Sequence, residues 1–131
     1  MKTEDFAYIV ETEKNFDESV VSVLRAVEQK GWSLFNVYDI KERLRAKGFE
    51  QAPLKIIEIC SGKYANNLLN KNKLVSLCMP CKINVVEDDG KVKIIGMKPT
   101  MMPEFFKEIS KEDAEEVEKH IIDIINLALK Y

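Results

Sequence analysis

The sequence is poor in the residues on which several protein classes depend. Three cysteines are an odd number and too few for the disulfide framework of a small secreted domain. The one histidine, His120, excludes a metal site built on two or more histidines. The five glycines are scattered at the ends of predicted elements, so there is no glycine-rich phosphate loop. These shortages leave the cysteines as the main candidates for catalytic or ligand-binding residues.

Long apolar runs and an excess of either charge are also absent. The chain carries 20 basic and 22 acidic residues, which gives a formal net charge of -2 and no field to attract nucleic acid. No stretch approaches the roughly 20 apolar residues of a membrane span, and residues 1–5 lack the apolar segment of a secretory signal. We therefore expect a cytoplasmic protein with free thiols and neither a nucleic-acid nor a membrane partner.

The hydrophobic pattern predicts one domain over residues 1–131, because 46% hydrophobic residues suffice for a core without disulfides or metal. The periodicities predict the following elements: strands at 6–13, 32–38, 54–60, 74–86 and 91–97, and helical segments at 15–31, 39–47, 61–69 and 110–128. This order favours an α+β fold, a mainly antiparallel sheet with helices packed on one face.

Local signals support individual elements. Asn15 with Glu18 resembles a helix-capping box, and residues 88–90 have the residue types of a tight hairpin turn. Both faces of the 54–60 strand are apolar, which predicts a central position in the sheet. Pro99 and Pro103 predict a loop, which contains Met101 and Met102.

The most reactive stretch is Cys78-Met79-Pro80-Cys81, which matches the Cys-x-Pro-Cys pattern of thioredoxin-like oxidoreductases. In those proteins a helix dipole stabilises the thiolate. Residues 82–86 instead alternate as a strand does, so the required helix N-terminus is missing after Cys81. The context therefore makes dithiol redox chemistry a minor interpretation.

Metal binding is also a minor interpretation. Only Cys60 and His120 remain to complete a site with Cys78 and Cys81, and side chains three apart in a strand point to opposite faces unless Pro80 creates a bulge. Nearby methionines would suit copper(I), although methionine more often fills gaps in a core: Met79, Met97, Met101 and Met102. We predict neither a metal nor a cofactor.

Inert packing is the leading interpretation for at least Cys78 or Cys81, since free cysteines are often buried. One arrangement would still bring the thiols together. If the strand ending at Cys60 is antiparallel to the next one, Cys60 falls within contact distance of Cys81 or Cys78. We interpret His120, beside the apolar stripe of the last helix, as a residue at the core boundary.

The chain resembles the domain of unknown function family numbered 302 over nearly its whole length. The resemblance rests on these phrases: Ile57-Glu58-Ile59-Cys60-Ser61, Tyr64-Ala65, Leu68-Leu69, Met79-Pro80-Cys81-Lys82, Asp89-Gly90-Lys91-Val92 and Met97-Lys98-Pro99. It implies a TATA-binding-protein-like α+β fold, a dimer and no established activity. It also implies that Cys60 and Cys81 are the family's pair and that Cys78 is an addition.

The sequence is compatible with three functional hypotheses. The leading one is a small-ligand-binding or accessory domain, a homodimer, whose pocket is bordered by Cys60, Cys81 and residues 99–106, with Pro80 shaping the strand. The alternative is a thiol-dependent enzyme or sulfur carrier, in which Cys60 is the nucleophile and Cys81 or Cys78 the resolving thiol. The third is a structural or interaction protein with packed thiols. We expect the aromatic pair Phe105-Phe106 to be exposed, which makes it a candidate dimer contact.

Overall fold

The computed structural model describes residues 1–131. Its helices are α1 (Thr3–Phe6), α2 (Phe16–Gln29), α3 (Ile40–Arg45), α4 (Gly62–Lys71), α5 (Met102–Phe105) and α6 (Lys111–Ala128). Its strands are β1 (Ala7–Thr12), β2 (Ser33–Asp39), β3 (Leu54–Cys60), β4 (Cys81–Asp88) and β5 (Lys91–Met97). Two 3-10 segments, Lys73–Cys78 and Pro99–Met101, complete the fold. No helix combines the length and the apolar character needed to cross a membrane.

The five strands form one sheet in the order β1-β5-β4-β3-β2, and every neighbouring pair is antiparallel. Helices pack against this sheet, which confirms the predicted α+β class. Strand β3 lies between β4 and β2 and has the predicted bounds. Asp89 and Gly90 link β4 to β5 with φ of 55° and 77°, the two positive values that a type I′ hairpin turn requires.

The long helices α2 and α6 begin where the sequence predicts. The backbone N–H of Glu18 donates to the Asn15 side chain, and that of Asp113 donates to Ser110. Each cap satisfies a backbone donor that the helix itself leaves unpaired. The apolar stripes of both helices then pack against the sheet, in a core that includes Val23, Val27, Ile57, Ile59, Ile83, Val85, Ile94, Ile121 and Ile124.

Residues 74–80 differ from the prediction, which placed them in a strand. They lie instead in and after the 3-10 segment Lys73–Cys78, which starts where the Asn72 side chain accepts from the N–H of Leu74. Val75 is fully buried whereas Leu77 is 79% exposed, a burial pattern that does not alternate as a strand would. Strand β4 begins only at Cys81, after a proline that has no N–H to donate to the sheet.

Residues 99–106 also differ from the predicted loop, because they form a 3-10 turn and the short helix α5. This geometry separates the two aromatic side chains that the sequence suggested as an exposed pair. Phe105 is 70% exposed, whereas Phe106 packs against the core. The prediction that both aromatic side chains are exposed is therefore wrong for Phe106.

Gly96 of β5 provides a test of how tightly α6 packs. A Cβ at this position would lie 3.0 Å from Cδ1 of Ile125 and 3.2 Å from Cγ2 of Ile121. Because both isoleucines are buried, we expect Gly96→Ala to lower the free energy of unfolding by about 1–2 kcal/mol, measured by urea denaturation.

Gly62→Ala is the matched control, since a Cβ there would meet nothing within 4 Å. It should leave the free energy of unfolding unchanged or raise it by up to ~1 kcal/mol, because alanine favours helix. Equal destabilisation by the two substitutions would contradict the close contact at Gly96.

Candidate functional site

The pairing of β3 with β4 brings the cysteines to one end of the sheet. Ile59 lies opposite Cys81 in this pair, so Cys60, the next residue of β3, ends its strand beside the start of β4. Cys78 ends the 3-10 segment just before β4, and the Met79-Pro80 peptide between them is cis. The antiparallel topology on which the convergence hypothesis rested is therefore present.

All three cysteines line one pocket between this end of the sheet and helix α4. Its volume is about 30 Å³, enough for about two water-sized groups. Of its 13 lining residues, 11 are hydrophobic. Besides the cysteines, the lining consists of Trp32, Ile59, Ser61, Tyr64, Ala65, Leu68, Met79, Pro80, Met102 and Val117. Such a surface offers dispersion contacts and few hydrogen bonds.

The two methionines of the predicted site separate. Met102 lines the pocket, whereas Met101 is buried away from it and borders a surface depression with Met1 and Lys98. The 3-10 turn and α5 explain the difference, because consecutive residues of a helical segment point about 100° apart. Cys78, which the family resemblance treated as an addition, lies in the same lining as Cys60 and Cys81.

Burial raises the pKa of each thiol above the ordinary value. For Cys81 the pKa rises from 9.0 to about 11, mainly by burial and secondarily by the nearby Cys60 thiol, while the positive charge of Lys82 opposes the rise. Burial also raises the pKa of Cys60 and of Cys78. At neutral pH the pocket therefore presents protonated thiols, which behave as small apolar groups.

Three aromatic rings cluster at the wall of the pocket, an arrangement that the sequence analysis missed. The centroid of the Tyr64 ring lies 6.2 Å from that of Trp32 and 5.2 Å from that of His120. The Trp32 and His120 centroids are 6.0 Å apart. The sequence held one signal for part of this cluster. Glu116 and His120 are four residues apart on α6, a spacing that places both side chains on the same face of the helix.

Side-chain hydrogen bonds connect the protein surface to this aromatic cluster. The Tyr64 hydroxyl lies 3.1 Å from Oε1 of Glu116 and 2.9 Å from Nε2 of His120. Burial, together with the Glu116 carboxylate, raises the pKa of Tyr64. The other ring nitrogen of His120, Nδ1, is buried without a hydrogen-bond partner. His120 thus lies at the core boundary, as expected, but with partners that the sequence did not name.

The donor set does not form a metal centre. Nowhere in residues 1–131 are three or more His, Cys, Asp or Glu side chains grouped so that they could hold a metal ion. The three thiols share a pocket lining without that geometry. The site therefore consists of a small apolar pocket, protonated thiols and one adjoining chain of polar side chains.

Comparison with known proteins gives a family and no activity. The fold matches a crystal structure described as an uncharacterized conserved protein DUF302 from Bacillus stearothermophilus, with a TM-score of 0.86 and 28% sequence identity. The match covers 94% of this chain and 98% of that one. No curated protein matches the sequence. The family model described as "Domain of unknown function DUF302" matches residues 8–128. The chain therefore belongs to the DUF302 family.

Proposed function

We propose that this protein binds a small, mainly apolar molecule in the pocket lined by Trp32, Cys60 and Cys81. The observation that carries the proposal is the convergence of three thiols and an aromatic wall on one apolar pocket at the end of the sheet. Ligand sites in proteins are typically apolar and have a few placed polar groups. Here the protonated thiols add only weak S–H donors to an otherwise apolar lining.

The protonation state of the thiols favours binding over catalysis. A nucleophilic cysteine needs a thiolate near neutral pH, which a helix N-terminus or a nearby cation stabilises. In this pocket burial raises the pKa of all three thiols, and for Cys81 the positive Lys82 only partly offsets it. We therefore rank the thiol-dependent enzyme or sulfur carrier, with Cys60 as nucleophile, below the binding function.

Three further expectations belong to the same proposal. Free thiols suit the reducing cytoplasm, where we place the protein. The antiparallel sheet with helices packed against it is compatible with a TATA-binding-protein-like arrangement. A fold of that kind would not imply DNA binding, because function depends on sites and the net charge of -2 gives no overall positive field. We also expect a homodimer.

Filling the pocket tests the binding function. Ala65 lines the pocket, so Ala65→Val should occupy part of its about 30 Å³ and abolish binding of small probes. Suitable probes are xenon and methanol, which are small enough for a pocket of this volume, added while the indole N–H signal of Trp32 is followed by NMR. Trp32 is the one tryptophan of the chain, and it lines the pocket. We expect saturable shifts in the wild type for at least one probe and at least a tenfold weaker response in the variant.

Asn66→Val is the matched control, because Asn66 is exposed on the same helix. It places the same β-branched side chain on this helix without entering the pocket, at little cost in helix propensity because asparagine and valine rank together. It should bind like the wild type. Thermal unfolding of both variants establishes that they are folded. The absence of a saturable shift in the wild type, or equal binding by folded Ala65→Val, would contradict the proposal and favour a purely structural role for the thiols.

Alkylation measured against pH separates binding from thiol catalysis. At pH 8 a thiol with a pKa of about 11 is thiolate about 100-fold less often than one with a pKa of 9.0. We therefore expect Cys81 to react with iodoacetamide about 100-fold more slowly in the folded protein than in urea, measured for each cysteine by mass spectrometry. Cys60 and Cys78 should be slowed less. Rapid reaction of folded Cys60 well below pH 8 would instead favour the sulfur carrier.

The same pKa shift predicts how stability depends on pH. Because the folded state holds the Cys81 proton more tightly than the unfolded state, the thiol's contribution to stability is complete below pH 9 and is lost as pH rises toward 11. The free energy of unfolding should therefore fall over this interval in the wild type. It should fall less in Cys81→Ala, which has no thiol to ionise at that position.

A further inference from the structure

Sulfur is concentrated around the pocket. Five of its 13 lining residues carry a sulfur atom: Cys60, Cys78, Met79, Cys81 and Met102. The whole chain has three cysteines and five methionines among 131 residues, so 13 residues taken at random would include about one of them. Sulfur is polarisable, and it makes favourable contacts with aromatic rings and with other polarisable groups. The lining is therefore rich in soft, polarisable atoms as well as apolar.

We propose that the ligands of this pocket are small neutral thiols, of which hydrogen sulfide and methanethiol have the right size. The inference rests on the proposed binding function and narrows its ligand to one chemical class. The volume of about 30 Å³ holds about two water-sized groups, which matches the single heavy atom of hydrogen sulfide or the pair in methanethiol. A longer thiol exceeds this volume.

The sulfur groups of the lining form weak hydrogen bonds, as a small thiol does. A cysteine S–H is a weak donor, and the sulfur atoms of cysteine and methionine are weak acceptors. Burial raises the pKa of the three cysteine thiols, so at neutral pH they offer S–H donors to the sulfur of a bound thiol. The thioethers of Met79 and Met102 offer acceptors for its S–H. The donors and acceptors of ligand and pocket are therefore matched in strength.

Water and alcohols are poorer occupants, because strongly hydrogen-bonding side chains are scarce in the lining. Only Ser61 and Tyr64 contribute a hydroxyl group. The Tyr64 hydroxyl is already engaged, at 3.1 Å from Oε1 of Glu116 and 2.9 Å from Nε2 of His120. Ser61 makes no capping hydrogen bond and remains as the one hydroxyl for a guest. A buried water needs about two to four polar partners, so the side chains of this pocket do not suit one.

The aromatic wall adds a second kind of contact for sulfur. Trp32 and Tyr64 both line the pocket, and their ring centroids lie 6.2 Å apart. A sulfur atom about 5 Å from an aromatic ring is attracted to it, often at the ring edge. In a pocket of this volume a guest touches the lining on every side, so its sulfur lies close to this wall. The wall therefore favours a thiol over an alcohol with the same skeleton.

The affinities of methanethiol, methanol and ethane test the ligand class, because these molecules share one skeleton and differ in a single group. Binding is followed at the indole N–H of Trp32 by NMR, at pH 7, without oxygen and with a phosphine reductant so that no mixed disulfide forms. We expect the wild type to bind methanethiol at least tenfold more tightly than methanol. Binding of methanethiol that is no tighter than binding of methanol would overturn the inference.

Exchanging one sulfur atom separates a sulfur-selective pocket from a merely apolar one. Met102→Leu conserves volume and removes a thioether from the lining. It should lower the affinity for methanethiol at least threefold relative to the affinity for ethane, which has no sulfur to contact. Met101→Leu is the matched control, since Met101 is 8% exposed and Met102 5%, but only Met102 lines the pocket. The control should leave the ratio of the two affinities unchanged.

Met79→Leu repeats the exchange at a second lining position, in case thermal unfolding shows that Met102→Leu is not folded. An unchanged ratio in the folded variants would overturn the inference, and so would an equal loss in Met101→Leu. The failures of the two proposals are distinguishable. If xenon or ethane binds but methanethiol has no advantage over methanol, the binding function stands and the ligand class is wrong. If no probe binds, both proposals fail.

Discussion

The register of β3 against β4 is the constraint on which the proposed pocket depends. Because Ile59 pairs with Cys81, Ile57 and Ile83 lie on the face of the sheet that the helices cover, and Asn84 lies on the opposite face. The same register ends β3 at Cys60 where β4 begins, and so fixes the position of the pocket. A slip of one residue would reverse every side chain of β4 between the faces, which makes this pairing strongly specified by the core.

Burial favours ligand binding at the pocket and disfavours thiol catalysis there. The apolar lining that suits a small ligand also raises the pKa of the three thiols and keeps them protonated at neutral pH. A thiolate can be stabilised by a cation or a helix N-terminus. Cys60 directly precedes Ser61, the N-cap of α4, but burial still raises the pKa of its thiol. The nearest polar chain, from Glu116 through Tyr64 to His120, ends in aromatic packing beside the pocket. Binding is therefore better supported than catalysis.

Much of the fold could be predicted from local patterns, because caps, hairpin residues and apolar periodicity act over a few residues. Asn15 and Leu54–Cys60 are examples, and both are confirmed. Residues 74–78 could not be predicted in this way, because an Asn72 cap and tertiary burial of Val75 override their β-rich composition. The pairing of Tyr64 with His120, 56 residues apart, depends on helix packing that no local pattern encodes. The separation of Met101 from the pocket depends on an unrecognised helical turn.

The central claim is that the space between Trp32, Leu68 and Cys81 admits a small apolar molecule. The most direct measurement is a crystal structure of the wild-type protein under xenon pressure, since xenon occupies small apolar cavities without needing hydrogen bonds. The account predicts an ordered xenon atom in contact with these three side chains. Crystals that bind xenon elsewhere, or not at all, while this site stays empty would contradict it.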